Sequence, residues 1–170
     1  MGIRFVKPDI KHKKAALDYL QEHLDNNETT LHGGAGLENI REYEDWLKFL
    51  NGEISNFEDR VDFTTYFAID DTNNKIIGMI DIRHALNDSL KLYGGNAGYG
   101  VRPSERRKGY ATMMLEKAIV FCKKLGIKRM LITCDKDNIA SSKTIIHCGG
   151  QLDCEYIHNN VLIERYWIDI

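Results

Sequence analysis

The stretch of sequence that decides the fold is GYGVRPSERRKGYA, residues 98–111. It reads as a strand containing two glycines, then a short basic turn, then the beginning of a long amphipathic helix predicted over residues 109–125. The start of a helix presents unpaired backbone N–H groups and the positive end of its dipole. Because Gly109 has no Cβ, an anion can approach its amide closely. The stretch therefore predicts an anion-binding turn.

Two common phosphate-binding fingerprints do not match this stretch. The pattern Gly-x-Gly-x-x-Gly fails because Gly98 and Gly100 are followed by Pro103 at the third glycine position. The P-loop pattern fails because Lys108 precedes Gly109 instead of following a glycine. The turn does carry four basic side chains that would attract a diphosphate. They are Arg102, Arg106, Arg107 and Lys108.

Periodicity along the rest of the chain predicts a single domain, residues 1–170, with the element order β-α-α-β-β-β-α-β-α-β-β. The predicted strands cover residues 3–7, 64–69, 75–83, 96–102, 128–134, 151–158 and 161–168. The predicted helices cover residues 9–24, 37–50, 109–125 and 140–147. Glycines inside the fourth strand indicate a bulge or a close backbone approach. The spacing around Trp46 favours a place in the core.

Composition restricts the class of partner. The chain has 170 residues and a net charge of -2, so no global attraction to nucleic acid or anionic lipid is expected. No apolar run suits a signal peptide or a membrane span, which predicts a cytoplasmic protein with no membrane partner. The four cysteines form no Cys-x-x-Cys pair and the histidines lack metal-ligand spacing. We therefore expect reduced thiols and no metal.

Two motifs carry a resemblance to a known family. Residues 106–111, RRKGYA, match Arg/Gln-x-x-Gly-x-Gly/Ala, the signature of the GNAT N-acetyltransferases. Residues 138–141, NIAS, resemble the Asn-x-x-Ser/Ala step of that family. The element order around both motifs is similar to that of the family along nearly the whole chain. The stretch of residues 76–134 resembles a poorly characterised bacterial subgroup of predicted acetyltransferases.

The resemblance implies an α/β fold of the α+β type. It implies a mixed, mostly antiparallel sheet of about seven strands, splayed between the fourth and fifth, with about four flanking helices. Acetyl-CoA would lie in the splay as acyl donor, its pantetheine amides pairing with the backbone near Val101 as an extra strand. The residues implied to bind it are Gly100, Val101, Arg102, Arg106, Arg107, Lys108, Gly109, Tyr110, Ala111, Thr112, Asn138 and Ser141.

The activity implied is transfer of an acetyl or other acyl group from CoA to a primary amine, by direct attack in a ternary complex. The acceptor would be a small molecule or a peptide amine, and the protein a monomer or homodimer. Many members of the family carry a tyrosine seven residues after the asparagine, as acid for the departing thiolate. Here that position is Ile145. This departure keeps an alternative open, a non-catalytic acyl-CoA-binding or regulatory module on the same fold.

The candidate general bases are Tyr99, Asp81 and His84, and the candidate substitutes for the missing acid are Ser141, Ser142 or a water. For each candidate base, another role is open. Tyr99 also fits a packed strand aromatic, and Asp81 and His84 also fit hydrogen-bonding positions near a strand end. His32, in the predicted loop between the first two helices, is a candidate contact for the acceptor.

Overall fold

Seven strands and five α-helices lie within residues 2–54 and 60–170, the parts of the chain described by this computed structural model. The strands are β1 (Ile3–Val6), β2 (Phe63–Asp70), β3 (Ile76–Arg83), β4 (Ala97–Val101), β5 (Arg129–Asp135), β6 (Gln151–His158) and β7 (Val161–Asp169). The helices are α1 (Lys13–Asp25), α2 (Tyr43–Leu50), α3 (Asp88–Leu92), α4 (Tyr110–Lys124) and α5 (Ile139–His147). Every predicted strand is confirmed to within one residue at each end.

The predicted α+β fold with seven strands is confirmed, and the strands form two sheets that divide between β4 and β5, where one splayed sheet was expected. One sheet has the order β1-β2-β3-β4, and the other has the order β5-β7-β6. The pairs β1–β2, β5–β7 and β6–β7 are antiparallel. The hairpin between β6 and β7 turns at Asn159 and Asn160, whose φ angles are 49° and 63°. Positive φ at both central residues is the geometry that two-residue hairpins favour, as the Asn-Asn pair predicted.

The helices depart from expectation in three places. The first predicted helix begins with a 3-10 turn at Ile10–His12, so α1 starts at Lys13 and not near residue 9. The short helix α3 was not predicted. The continuous helix expected over residues 37–50 is wrong, because a 3-10 turn at Leu37–Asn39 is separated from α2 by extended backbone at Ile40 and Glu42. Leu37 and Trp46 are nevertheless both buried. The apolar spacing therefore reported burial on both sides of the break and not one uninterrupted helix.

The described residues group into two compact units. The first contains those of Met1–Arg60, Thr64–Asp81 and Tyr99–Tyr110, and the second those of Val61–Phe63, Ile82–Gly98 and Ala111–Ile170. The core of the first unit is built by residues of α1, α2, β2, β3 and the segment between the two helices. At its centre the Trp46 ring stacks on Phe67 with ring centroids 5.8 Å apart. Trp46 is fully buried, which confirms its place in the core.

In the second unit, helix α4 contributes a buried apolar face to the core. This face consists of Met114, Leu115, Ala118 and Cys122. The helix stops at Gly126, whose φ of 81° suits glycine after a helix C-terminus. The four cysteines are free thiols. Burial raises the pKa of both Cys122 and Cys134 to about 11, so these thiols stay protonated at neutral pH.

Strand β4 is regular. The Arg83 N–H donates to the Asn96 carbonyl at 2.7 Å, and the Arg102 N–H donates to the Ile77 carbonyl at 2.8 Å. Both strands have the same number of residues between these two bonds, so neither strand contains an extra residue. Of the two alternatives that the glycines predicted, a bulge is therefore not present between these bonds. In an antiparallel ladder backbone groups alternate sides. The N–H of Val101 therefore points away from β3, toward the open edge of the sheet.

Asn96 closes the start of β4 inside the second unit. Its N–H donates to the Leu131 carbonyl at 2.7 Å, and its side-chain Oδ1 accepts from the Leu131 N–H at 2.8 Å. Its side-chain Nδ2 reaches the carbonyl of Arg83, the position that its own backbone would have filled in the ladder. The side chain of Asn96 thus takes over one ladder bond, and its backbone N–H and its Oδ1 each make one bond to β5. No local sequence pattern predicted this arrangement.

Candidate functional site

The predicted anion-binding turn connects β4 to α4. After a 3-10 turn at Pro103–Glu105, the backbone takes left-handed φ at Arg107 (65°) and at Gly109 (83°). Helix α4 then starts at Tyr110 and runs for 15 residues. Alternation of left-handed and right-handed or extended residues turns successive N–H groups toward one side and forms a concave anion site. The turn thus has two left-handed residues directly before the N-terminus of a long helix, a kind of position at which backbone N–H groups bind anions.

Gly109 is required by backbone geometry and leaves space for a ligand. Its φ of 83° is strained for any residue with a Cβ. Among the described residues, no atom lies within 4 Å of the place that a Cβ would take. The glycine is therefore not packed against the protein's own chain, and a bound group can lie directly against its amide.

Arg106, the first residue of the family signature, is held by the protein. Its Nη1 and Nη2 donate to Oε1 and Oε2 of Glu28 at 2.7 and 2.6 Å. Its Nε donates to the carbonyl of Val101 at 3.1 Å. The Arg106 guanidinium lowers the pKa of Glu28 to about 2, so this carboxyl is ionised at neutral pH. All three nitrogens of the guanidinium are thus used within the chain.

Two other basic side chains of the turn are ion-paired as well. Arg102 is buried, and its Nη1 donates to Glu22 at 3.0 Å. Glu22 also accepts the backbone N–H of Ser104 at 2.8 Å, so it holds the turn at two points. The Lys108 ammonium donates to Glu105 at 2.7 Å. Arg107 is exposed.

The end of α1 supports the same stretch of chain. The Tyr19 hydroxyl donates to the Gly100 carbonyl at 3.1 Å, and the Tyr19 ring packs against His23 with centroids 4.6 Å apart. Burial lowers the pKa of His23. Its neutral ring therefore donates from Nδ1 to the ionised Glu28, across 2.7 Å.

The close backbone approach that glycines in β4 predicted is present at Gly100. A Cβ at this position would lie 2.5 Å from the carbonyl oxygen of His32. The approaching group is thus a loop of the protein itself. The His32 side chain is exposed, while its backbone lies against the strand expected to bind the acyl donor.

The second predicted motif begins α5, in the second unit. Asn138 caps the helix, and its Oδ1 accepts the N–H of Ser141 at 3.1 Å, as the sequence predicted. The Ser141 hydroxyl hydrogen-bonds the Cys134 thiol. Ile145, at the position where the family often carries tyrosine, is fully buried. A Cβ at Gly150 would overlap Ile145, so the end of the helix is packed closely around this side chain.

The candidate bases lie in different environments. Asp81 is buried in β3 and accepts the Thr65 hydroxyl at 2.9 Å. Tyr99 is half-buried in the middle of β4. His84, just after β3, lies near Phe121 with ring centroids 5.5 Å apart. The bond from Thr65 fits the hydrogen-bonding role left open for Asp81. A catalytic role for Asp81, His84 or Tyr99 stays a prediction.

Sequence reasoning missed the residues that hold the turn. They are Tyr19, Glu22, His23 and Glu28. Glu28 and Arg106 are partners although they lie 78 positions apart in the sequence. A single Glu in a polar segment does not show by itself that it forms an ion pair. Asn96 was likewise placed in a strand with no role of its own.

In the parts of the chain that the structure describes, no group of His, Cys, Asp or Glu is arranged to hold a metal ion. None of the helices there is long and apolar enough to cross a membrane.

The chain is similar to known acetyltransferases. A family model described as acetyltransferase (GNAT) domain matches residues 10–151. None of the curated protein sequences compared with the chain matches it. Solved structures do. The acetyltransferase of GNAT family from Streptococcus pneumoniae has 17% identity, 99% coverage of each chain and a TM-score of 0.68.

Two further similar structures are an acetyltransferase solved with acetyl-CoA and a spermidine acetyltransferase. The acetyltransferase yncA from Salmonella typhimurium, solved with acetyl-CoA, has 12% identity over 99% of this chain and 94% of its own, with a TM-score of 0.66. A spermidine N-acetyltransferase from Vibrio cholerae has 13% identity over 99% of this chain and 95% of its own, with a TM-score of 0.63. At such identities the likeness concerns the fold.

Proposed function

The chain belongs to the GNAT family of acetyltransferases, and from that premise we propose that it transfers an acetyl group from acetyl-CoA to a primary amine. The observation that carries the proposal is the turn before α4, with left-handed backbone at Arg107 and Gly109 and open space over Gly109. The diphosphate of the donor would bind the backbone N–H groups of this turn, with the exposed Arg107 adding charge.

The donor's acyl arm would follow the open edge of β4. The N–H of Val101 points away from β3, which supports pairing with a pantetheine amide or with the thioester carbonyl. A backbone N–H aimed at that carbonyl oxygen would stabilise the negative charge that develops there. On this proposal Asn138 contacts the pantetheine arm, as the family resemblance implies, while its Oδ1 also caps α5.

The reaction needs few groups from the protein. The amine nitrogen attacks the thioester carbon, the C–S bond breaks, and the amine loses a proton while the thiolate gains one. Alignment in a ternary complex supplies much of the acceleration. Asp81 or Tyr99, directly or through water, is the proposed proton acceptor, and Ser141 or water the proposed donor to sulfur. Thiols of pKa near 8.5 are fair leaving groups, so a weak acid suffices.

The acceptor is a primary amine on a small molecule or a peptide. The spermidine enzyme among the structural neighbours supports including polyamines among the candidates. The single-domain organisation, the cytoplasmic location, the bacterial origin and the monomeric or dimeric state expected from the sequence belong to the same proposal.

The test is thiol release from acetyl-CoA across a panel of amines, namely polyamines, amino acids, aminoglycosides and peptides. Saturable release with at least one acceptor, abolished by Gly109→Val, is the expected result. Release that does not depend on any acceptor, or that survives Gly109→Val unchanged, would contradict the proposal.

A second candidate function has one observation in its favour. Ile145 is fully buried where many relatives carry the tyrosine acid, so a module that binds acyl-CoA without catalysis fits this position as well. Both candidates expect acetyl-CoA binding, and only the transferase expects turnover. Binding of acetyl-CoA with no turnover across the full panel would favour the binding module.

A further inference from the structure

Glu28, in the segment after α1, makes two side-chain hydrogen bonds to the turn between β4 and α4, here called the acyl-CoA turn. Its two carboxylate oxygens accept from both terminal nitrogens of Arg106, at 2.7 and 2.6 Å. Paired parallel bonds between a guanidinium and a carboxylate fix orientation as well as distance. The segment that carries Glu28 is therefore joined to the first residue of the signature.

Arg106 passes this restraint on to β4. The third nitrogen of its guanidinium, Nε, donates to the Val101 carbonyl at 3.1 Å. Val101 is the last residue of the strand and the one whose N–H points to the open edge. One planar group therefore links Glu28, the start of the turn and the strand end.

Glu28 is itself held in place. His23 lies 2.7 Å from Oε2 through its Nδ1, and Asn26 donates to Oε1 at 2.7 Å. His23 is only 3% exposed, and its ring packs on Tyr19, which in turn donates to the Gly100 carbonyl. The carboxylate therefore has little freedom to leave Arg106. A group whose supporting partners are also fixed is well suited to hold a binding site in one geometry.

This arrangement changes the role expected for Arg106. Three of its five N–H groups are taken by Glu28 and Val101, so the guanidinium is held against the protein and is restricted from turning toward a diphosphate. The backbone N–H groups that follow it are left for the ligand. The family signature does not by itself say which partner an arginine at this position takes.

We propose that Glu28 is a positioning residue for the acyl-CoA turn, acting through Arg106 to hold the turn in the shape that binds a diphosphate. The inference rests on the proposed function, because it assigns that ligand to the turn. It predicts that loss of the Glu28 charge weakens binding of donors that contain the diphosphate and leaves the rate at saturation nearly unchanged.

The experiment compares Glu28→Gln and Arg106→Gln, singly and together, with Asp18→Asn as control. Asp18 lies on α1, where it pairs with Lys14 one turn earlier in that helix. Acetyl-CoA affinity is measured by calorimetry, and steady-state kinetics use acetyl-CoA and S-acetylpantetheine, which lacks the diphosphate. Far-UV circular dichroism verifies that each variant is folded, and Glu28→Asp provides a conservative variant that keeps the charge.

We expect Glu28→Gln to weaken acetyl-CoA about tenfold, the loss typical when a charge-assisted bond becomes neutral. Its kcat at saturation and its kcat/KM with S-acetylpantetheine should match the wild type. The double variant should be no weaker than Arg106→Gln alone, because both changes remove one interaction. Glu28→Asp should recover part of the affinity, and Asp18→Asn should bind as the wild type does.

The outcomes separate the two claims. If the wild type binds acetyl-CoA and Glu28→Gln binds it equally well, the positioning role is wrong and the proposed function stands. The same holds if the two single effects add in the double variant, or if S-acetylpantetheine loses as much as acetyl-CoA. If the wild type does not bind acetyl-CoA at all, the proposed function is wrong and this inference falls with it.

Discussion

The turn between β4 and α4 and the start of α5 carry the two motifs of the family, but they are built differently. In the turn, Arg102, Arg106 and Lys108 are each ion-paired, and the strand end is bonded to α1 and to the segment after it. At α5, Asn138 supplies a cap, but the position expected for an acid is occupied by buried Ile145.

The contrast between the turn and the start of α5 suggests that donor binding and proton transfer are supported to different degrees in the proposed function. Many interactions fix the shape of the turn, so the groups that would bind the donor are preorganised before it arrives. Ile145, in contrast, is fully buried, and Gly150 lies against it at the end of its helix. On the proposed function, side chains such as Glu22 and Glu28 hold the turn whose backbone would bind the donor, and alignment would supply much of the transfer step.

Gly109→Val is expected to have the largest effect on acetyl-CoA binding, because it changes the turn directly. A branched side chain at a φ of 83° is strained, and it would also occupy the open space over the turn. We expect stability to fall by about 1–2 kcal/mol and acetyl-CoA binding to disappear at millimolar concentration. Calorimetry on the folded variant provides the measurement.

Gly126→Val is the matched control. Gly126 ends the same helix with a φ of 81°, and it too has no described atom within 4 Å of the Cβ position. It should lose similar stability and keep its affinity for acetyl-CoA. Equal loss of binding in both variants would show that backbone strain, and not the turn, accounts for the effect.

A second prediction concerns Ile145→Tyr, which would place the family's tyrosine at its usual position. Because Ile145 is fully buried and Gly150 lies against it, the larger ring must displace its neighbours. We expect a loss of about 1–3 kcal/mol in the free energy of unfolding, with no gain in kcat. Urea unfolding and thiol release measure the two quantities.

The neighbouring position supplies the control for this change. Ile146→Tyr places the same ring at a residue that is 56% exposed, so its stability should stay within about 0.5 kcal/mol of the wild type. A rise in kcat for Ile145→Tyr without loss of stability would mean that the site near α5 accepts an acid, contrary to the contrast drawn above.

A third, smaller effect is expected from Asn138→Ala. The change removes the side chain that accepts the Ser141 N–H and should cost about 1 kcal/mol in the free energy of unfolding. If Asn138 also contacts the pantetheine arm, affinity for acetyl-CoA falls as well. Asn87→Ala, which uncaps α3 by removing the acceptor of the Leu90 N–H, should leave that affinity unchanged. Equal affinity in the two variants would reduce Asn138 to a cap.

The smallest effect is a pH dependence of stability. Burial lowers the pKa of His12 and of His23, so below about pH 6.5 the unfolded chain takes up protons that the folded chain resists, and stability falls as pH falls. Glu28 has its pKa lowered from 4.5 to about 2, so its contribution is present above pH 4.5 and is lost between the two values. Urea midpoints across pH measure both phases.

Glu28→Gln tests the assignment of the lower phase. The variant should keep the decline that begins near the histidine pKa and should show a shallower decline between pH 4.5 and about 2, where Glu28 titrates in the wild type. An unchanged slope in that lower range would mean that Glu28 is not held by Arg106 in solution.

Much of the fold could be predicted because the pattern of apolar residues is local. The glycine strand, the basic turn and helix α4 follow one another within a single stretch, and the cap at Asn138 is read from four residues. The helix break before α2 could not be predicted, because Leu37 and Trp46 are buried on both sides of it. Apolar spacing records burial and not hydrogen bonding.

The supports of the site could not be predicted either. Glu28 and Arg106 meet only through the tertiary fold, and Tyr19 reaches Gly100 across 81 positions. The same holds for Asn96, whose amide bonds to Leu131 depend on where β5 comes to lie. Sequence motifs located the backbone that is proposed to bind the donor, whereas the residues that hold it are identified only by the three-dimensional structure.

The central claim, that the turn before α4 binds the acyl donor, is tested most directly by thermal unfolding with and without acetyl-CoA. A ligand present at 100 times its Kd stabilises the folded state by about 2.7 kcal/mol, which corresponds to a rise in Tm of roughly 5–10 °C for a chain of this size. The wild type should show this rise, and Gly109→Val should not. No shift of the wild type at millimolar acetyl-CoA, or an equal shift of both proteins, would contradict the claim.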